Sequence, residues 1–228
     1  MEKFDQILAR AAKRHGGPAA FEKMLKAAVA PPLKAKQIAA IPDDRYLSQM
    51  AKRVFCAGFV WKVVEDKWPE FERAFFQFAP AKVARLSDEA LDELATDVRL
   101  IRNRKKIYSV RENAVFVLES AKEHGGFGKF LADWPDDDPI GLSQHLKKHA
   151  DRLGGASGMY FLRFMGKDTF LFSNDVVAAL VHQKILTKAP TSQRDLQAAQ
   201  NAFLQWRKES GGRSLNHISK ILACSIDA

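Results

Sequence analysis

The sequence predicts an all-α fold of about ten helices in two lobes, and three observations carry that expectation. Apolar side chains recur at three, four and seven residues, capping residues stand just ahead of those runs, and glycine or proline pairs close them. Size permits such a fold: 228 residues, 46% hydrophobic and 10% aromatic, can enclose a sizeable core.

The first 45 residues are rich in Lys and Ala and read as helical, with breaks at Gly16-Gly17 and Pro31-Pro32. From Tyr46 to Val64, the residues Leu47, Met50, Val54, Trp61 and Val64 fall on one face of a single predicted helix, with no strand alternation. Pro69 is expected to open the next helix, Pro69 to Phe78, at a first-turn position, with Phe71, Phe75 and Phe78 on one face. Ser87 ahead of Asp88 and Glu89 marks another start, since a hydroxyl caps orphan amides and acidic residues suit the positive helix end; Leu91 and Leu94 then face inward. Ile107, Val110, Ala114, Val117, Leu118 and Ala121 give the cleanest helical period, closed by Gly125-Gly126. A helix from Leu142 to Arg152, a Gly-rich turn and a helix holding Met159 to Met165 come next, and Asn174-Asp175 begins another. Ser192 with Asp195 forms a capping box before Leu196, Ala199, Phe203 and Trp206, and Ser214 precedes Leu215, Ile218 and Leu222. All the breaks are short, including WPDDDP at 134–139 and Gly211-Gly212, so none reads as a flexible linker. HGG occurs at 15–17 and 124–126, a coincidence of helix ends rather than a duplication.

Lys plus Arg number 36 against 27 Asp plus Glu, a net charge of +9 that favours a polyanionic partner without naming one. No run approaches the roughly 18 apolar residues of a membrane span. The N-terminus, MEKFDQILARAAKRHGG, alternates charge where a signal peptide would be apolar, so a cytoplasmic chain with no membrane partner is expected. Cys56 and Cys224 are far apart and lack CxxC spacing; they read as two buried small apolar side chains, not as a disulfide framework or a zinc module.

Four stretches invite a chemical reading. His145 and His149 stand at metal-ligand spacing on a helix, but Leu146 replaces the Glu of a metalloprotease helix, and Lys147 and Lys148 favour an exposed basic face. Gly-Lys-Asp at 166–168 lacks the Ser or Thr and the upstream glycine of a phosphate loop. In LGGASGMYFLRF (153–164), Gly154, Gly155 and Gly158 free the backbone where one helix ends and another starts. The exposed amides there can hold a DNA phosphate, and a plain helical corner fits equally well. Asn174 or Asp175 reads locally as an N-cap.

Residues 56–118 resemble the DNA-3-methyladenine glycosylase I family, through AGFVW (57–61), the pattern Phe78, Pro80 and Lys82 to Ala84, IRNRKKI (101–107) and Asn113-Ala114. The likeness resumes at Gly155, Tyr160 and Asn174-Asp175, and covers somewhat under half of the chain. It implies a helix-hairpin-helix DNA glycosylase fold over residues 1–228, with residues 1–45 as divergent N-terminal helices, 142–175 as the hairpin and following helix, and LGGASG as the hairpin turn. It implies a monofunctional enzyme that flips an alkylated base, such as 3-methyladenine, out of duplex DNA and hydrolyses its N-glycosidic bond. On this resemblance Trp61 would stack on the flipped base, Arg53 and Tyr160 would line its pocket, and Asp175 lies near the superfamily's catalytic carboxylate. Met159 holds the place of the Lys nucleophile in related lyases, so no lyase activity is expected.

Two departures stand out. The carboxylate that the family places eight residues before the stacking Trp is Arg53 here, and a positive charge repels a cationic base. Glu65 could replace that charge, although an exposed i, i+4 pairing partner fits it better. The family's zinc ligands have no counterpart, with Val176 and Leu180 in their places, so neither metal nor other cofactor is expected. Gly154, Gly155, Gly158, Arg102, Arg104 and Lys105 are the candidate phosphate contacts, with Arg99, Lys106, Lys147 and Lys148 adding to the basic face, and ordinary solvated surface charge fits the basic residues equally well. The expected partner is duplex DNA carrying damaged bases. A non-catalytic DNA-damage or DNA-structure binder of the same fold, and a helical interaction domain with no DNA role, are the alternatives.

Overall fold

The computed structural model describes residues 1–226. Among them the regular elements are α-helices and one 3-10 turn. They form two compact units, one from Met1–Pro32, Pro135–Gly141 and the chain from Asp168 on, the other from Leu33–Trp134 and Leu142–Lys167.

Helices α1 (Phe4–Arg14) and α2 (Pro18–Ala28) part at Gly16 and Gly17, both at positive φ. α3 (Ala35–Ala39) and α4 (Asp43–Cys56) follow. The single helix expected over 46–64 is in fact two: α4 stops at Cys56 and α5 spans Trp61–Ala74. Gly58, at φ +75°, turns the chain between them, a conformation glycine adopts without steric cost. Leu47, Met50, Val54 and Val64 are buried as expected, whereas Trp61 leaves the apolar face and is 40% exposed.

Pro69 is likewise corrected. It lies inside α5 rather than at a helix start, and Phe76–Phe78 form the 3-10 turn. An internal proline forfeits a backbone hydrogen bond. The helix survives because its far side is welded into an aromatic stack: Trp68 and Phe71, Phe71 and Phe75, and Phe75 and Phe78 lie 5.0, 6.3 and 5.6 Å apart. Those three phenylalanines are buried, as their spacing predicts.

α6 (Pro80–Val83) leads to α7 (Asp88–Thr96), capped by Ser87 Oγ accepting from the Ala90 amide. α8 (Arg104–His124) is capped by Asn103 and ended by Gly125 at φ +78°. Its Ile107, Val110, Ala114 and Val117 are buried, and Leu118 stands at the rim. After α9 (Phe127–Asp133), α10 (Pro139–His149) begins and ends three residues earlier than expected, leaving Arg152 in the turn at φ +61°. α11 (Ala156–Phe164) and α12 (Asn174–His182) precede α13 (Gln193–Glu209), which carries the Ser192–Asp195 capping box, and α14 (Leu215–Cys224), capped by Ser214.

In the unit holding residues 33–134, α4 packs against α8, α5 and α11, which fixes both sides of the site described below. In the other unit α14 packs against α1, α2, α12 and α13. The start of α14 is held by Asp168, whose buried carboxylate accepts from the Leu215 and Asn216 amides at 3.0 and 3.1 Å and pairs with Arg207 at 2.9 Å. Cys56 and Cys224 are buried and free, as expected.

Glu2 fastens α1 by accepting from Arg10 Nη1 and Nη2 at 3.0 and 2.7 Å and from Gln183 Nε2 at 2.6 Å. The Arg10 guanidinium above all holds its carboxyl down at about 2, against an ordinary value of 4.5. A carboxyl depressed in the folded state contributes stability that is complete above its unfolded range and fades as pH falls toward the folded value. Because the pair is partly exposed, Glu2→Gln should lower Tm at pH 7 by about 1–3 °C. Thermal melts should show that gap closing as pH drops from 5 to 2; a gap undiminished at pH 2 would count against the pairing.

Candidate functional site

The end of α4, the turn 57–60, the first residue of α5 and one face of α11 meet at an aromatic notch. Trp61 opens α5, and Tyr160 and Phe164 share a face of α11 through i, i+4 spacing. The Trp61 and Tyr160 rings meet edge to face at 5.2 Å, and Trp61 and Phe164 lie 6.1 Å apart. Phe164 is 54% exposed, while Arg53, on the last turn of α4, is 3% exposed. Its guanidinium carbon lies 4.8 Å from the Trp61 ring and 4.2 Å from the Phe164 ring. With the two rings 6.1 Å apart, the guanidinium sits at the third corner of a triangle and is covered by both rings.

Arg53 Nε and Nη1 are buried without a hydrogen-bond partner, and Nη2 is 3.8 Å from Glu65 Oε1. Burial pushes the guanidinium pKa down, against the pull of Cys56, Glu65 and Tyr160, but an arginine in a protein keeps its proton. The rings recover part of the desolvation cost through cation–π attraction. Glu65 is not an i, i+4 partner within its own helix: it faces α4, half exposed, and pairs with Lys52 Nζ at 2.5 Å.

Lys106 does not belong to the basic surface. It is buried, and its Nζ donates to the Ala57 and Phe55 carbonyls at 2.6 and 3.3 Å with the Phe59 ring 4.8 Å away. It therefore closes orphan carbonyls at the end of α4 and braces the turn that presents Trp61. Arg102 and Lys105 are exposed. Arg104 is exposed but engaged, bonding Asp92 at 2.6 Å and lying over the Tyr108 ring; Arg99 is held by Asp97. Lys147 and Lys148 are exposed on α10.

In the hairpin, Gly155 takes φ +59° at the N-cap of α11 and is exposed. Gly158 is buried, and a Cβ there would lie 2.2 Å from the Leu153 carbonyl oxygen, so glycine is required for the turn to close on the helix. At Gly154 a Cβ would stand 3.1 Å from Lys147 Cγ. Gly158 thus has a packing duty that the phosphate reading did not anticipate. Met159 is buried on the same helix.

Asp175 lies in the other unit, in the first turn of α12. Ser173 Oγ accepts from the Val176 amide and is the cap, so neither Asn174 nor Asp175 fills that role. His145 and His149 stack at 4.3 Å, with Phe130 5.1 Å and Trp134 5.4 Å from His145. His145 thus belongs to an aromatic cluster, where burial above all pushes its pKa down, whereas His149 is exposed beside Lys147 and Lys148 as expected. No cluster of three or more His, Cys, Asp or Glu side chains suited to a metal occurs among the described residues, and no described helix is long and apolar enough to cross a membrane.

Phe164 was not marked by the sequence as part of a site, because it resembles any core residue of an apolar helix. Its i, i+4 relation to Tyr160 was the available signal.

This arrangement of helices is that of 3-methyladenine DNA glycosylase I. A solved 3-methyladenine DNA glycosylase I in complex with 3-methyladenine superposes with a TM-score of 0.52 at 22% identity, covering 72% of this chain and 95% of that one. The Staphylococcus aureus enzyme gives 0.50 at 23%, covering 70% and 90%. The methyladenine glycosylase family model matches residues 39–155, and the chain belongs to that family. Curated relatives include DNA-3-methyladenine glycosylase 1 of Escherichia coli, 31% identical over 83 residues, and DNA-3-methyladenine glycosylase of Haemophilus influenzae, 31% identical over 84. The matched stretches cover 36% and 37% of this chain and 44% and 45% of those relatives, so the chain spans under half the length of either.

Proposed function

We propose that this chain is a monofunctional DNA glycosylase that draws a damaged base out of duplex DNA against Trp61 and hydrolyses its N-glycosidic bond. The observation that carries the reading is the half-exposed Trp61, held edge to face by Tyr160 beside the hairpin helix α11, in a member of the methyladenine glycosylase family. Unstacking a base costs a few kcal/mol, and an aromatic face returns about 1–3 kcal/mol of it. Met159 offers no amine for a Schiff base, which supports direct hydrolysis by water.

The amides at the start of α11, near Gly155, together with Arg102, Lys105, Lys147 and Lys148, supply contacts for the phosphate backbone. Arg104 would join them by exchanging Asp92 for a phosphate. Asp175, whose carboxylate is not spent on capping, is the candidate to stabilise the cationic sugar of the transition state. A cytoplasmic location accords with this activity.

Mass spectrometry of bases released from damaged duplex DNA tests the proposal. Base release by the wild-type chain, slowed about tenfold or more in Asp175→Asn under single-turnover conditions, is the expected outcome. Unchanged release in the variant would reduce Asp175 to a first-turn residue that merely suits the helix dipole. Salt-dependent DNA binding with no base released from any duplex would instead favour the non-catalytic reader.

A further inference from the structure

We propose that the notch is built for an uncharged base that turns carbonyl oxygens or unprotonated ring nitrogens toward Arg53, and that it disfavours bases made cationic by ring methylation. The inference rests on reading the notch as the base pocket. Its first support is the charge behind the rings: the guanidinium is permanently protonated and almost wholly buried under Trp61 and Phe164. Its second is that local compensation is weak. Glu65 comes no nearer than 3.8 Å to Nη2, is half exposed, and is shared with Lys52.

The third support is the pair of unpartnered donors. Buried polar groups are nearly always hydrogen-bonded, so Nε and Nη1 of Arg53 are an exception that a ligand can resolve. Trp61 and Phe164 lie over the guanidinium, so a base reaches Nε and Nη1 only where those rings part, and what it must then bring is acceptors. A carbonyl oxygen or ring nitrogen forms charge-assisted bonds with a guanidinium, the same chemistry by which arginine reads the O6 and N7 edge of guanine. A base methylated on a ring nitrogen brings a positive charge into the same partly dry space, and the two repel.

Tryptophan-fluorescence titration of the full chain with inosine and with the cationic nucleoside 1-methyladenosine at pH 7 tests this, with Trp61→Phe identifying the signal from the notch. Wild type should prefer inosine by about tenfold or more. Arg53→Gln should bring the two affinities within about threefold, and Arg53→Glu should reverse their order. Because Arg53→Glu sets a carboxylate beside Glu65 and can fail to fold, Arg53→Gln, checked by thermal melting, decides the matter. Equal affinities in wild type, no binding of either nucleoside, or an unchanged preference in Arg53→Gln overturns the proposal.

Base release distinguishes a failure of the selectivity from a failure of the enzyme. Selective inosine binding with no base released from hypoxanthine-, uracil- or methyl-damaged duplexes would retain the pocket and remove the glycosylase. A larger enhancement over spontaneous base loss for 3-methyladenine than for hypoxanthine would retain the glycosylase and overturn the selectivity.

Discussion

Trp61→Ala is expected to slow single-turnover base release by about ten- to a hundredfold while moving Tm by less than about 2 °C. The magnitude follows from stacking: an aromatic platform is worth about 1–3 kcal/mol per base, and each 1.4 kcal/mol is a factor of ten in rate when the flipped state precedes chemistry. The small effect on stability follows from exposure. Trp61 is 40% exposed and makes its ring contacts with Tyr160, Phe164 and Arg53 at the surface of the fold, not within the aromatic stack on the other side of α5. Trp61→Phe keeps a ring over Arg53 and should recover most of the rate. If Trp61→Ala releases base at the wild-type rate, the notch is not where the base is held, and the functional reading fails with it.

The sequence disclosed local devices and concealed tertiary ones. Ser87, Ser192, Ser214 and Gly125 act where their neighbours alone dictate, and each is found at its cap. The break between α4 and α5 was hidden by arithmetic of a physical kind. The turn from Ala57 to Val60 is four residues long, close to one helical turn of 3.6, so the apolar stripe resumes nearly in phase and reads as unbroken. Gly58 alone betrayed it. Pro69 deceived for a related reason, since a proline fits a first turn well, while the stack that lets α5 tolerate it is formed with residues on both sides in sequence. Lys106 looked like one more charge in a basic run, and its burial is decided by carbonyls some fifty positions away.

The site was legible in another way. Trp61, Tyr160 and Arg53 were marked by family resemblance, not by periodicity, and the fold brings the three together. Phe164 escaped because its i, i+4 relation to Tyr160 does not by itself separate an exposed aromatic from a core one. Asp175 shares no unit with them, so the expected cluster is only partly assembled from residues of one body.

Phe71→Ala should be the most destabilising of the changes considered, costing about 3–5 kcal/mol and lowering Tm by about 8–15 °C. Phe71 is fully buried, with Phe55 at 4.6 Å, Trp68 at 5.0 Å and Phe75 at 6.3 Å. Truncating it leaves a void lined by rings that cannot collapse without dismantling the stack, so the cavity cost adds to the lost transfer energy. Phe76, five positions on but 47% exposed, is the matched control, and its change to Ala should shift stability by no more than about 0.5 kcal/mol. The pair separates support from chemistry. Phe71 holds the far side of the helix whose first residue is Trp61, so well below its melting temperature Phe71→Ala should still release base at close to the wild-type rate. Loss of release in a variant that near-ultraviolet circular dichroism shows to be folded would mean that the stack positions Trp61 as well as stabilising α5. A Tm within about 3 °C of wild type would show that the ring contributes less than its burial implies.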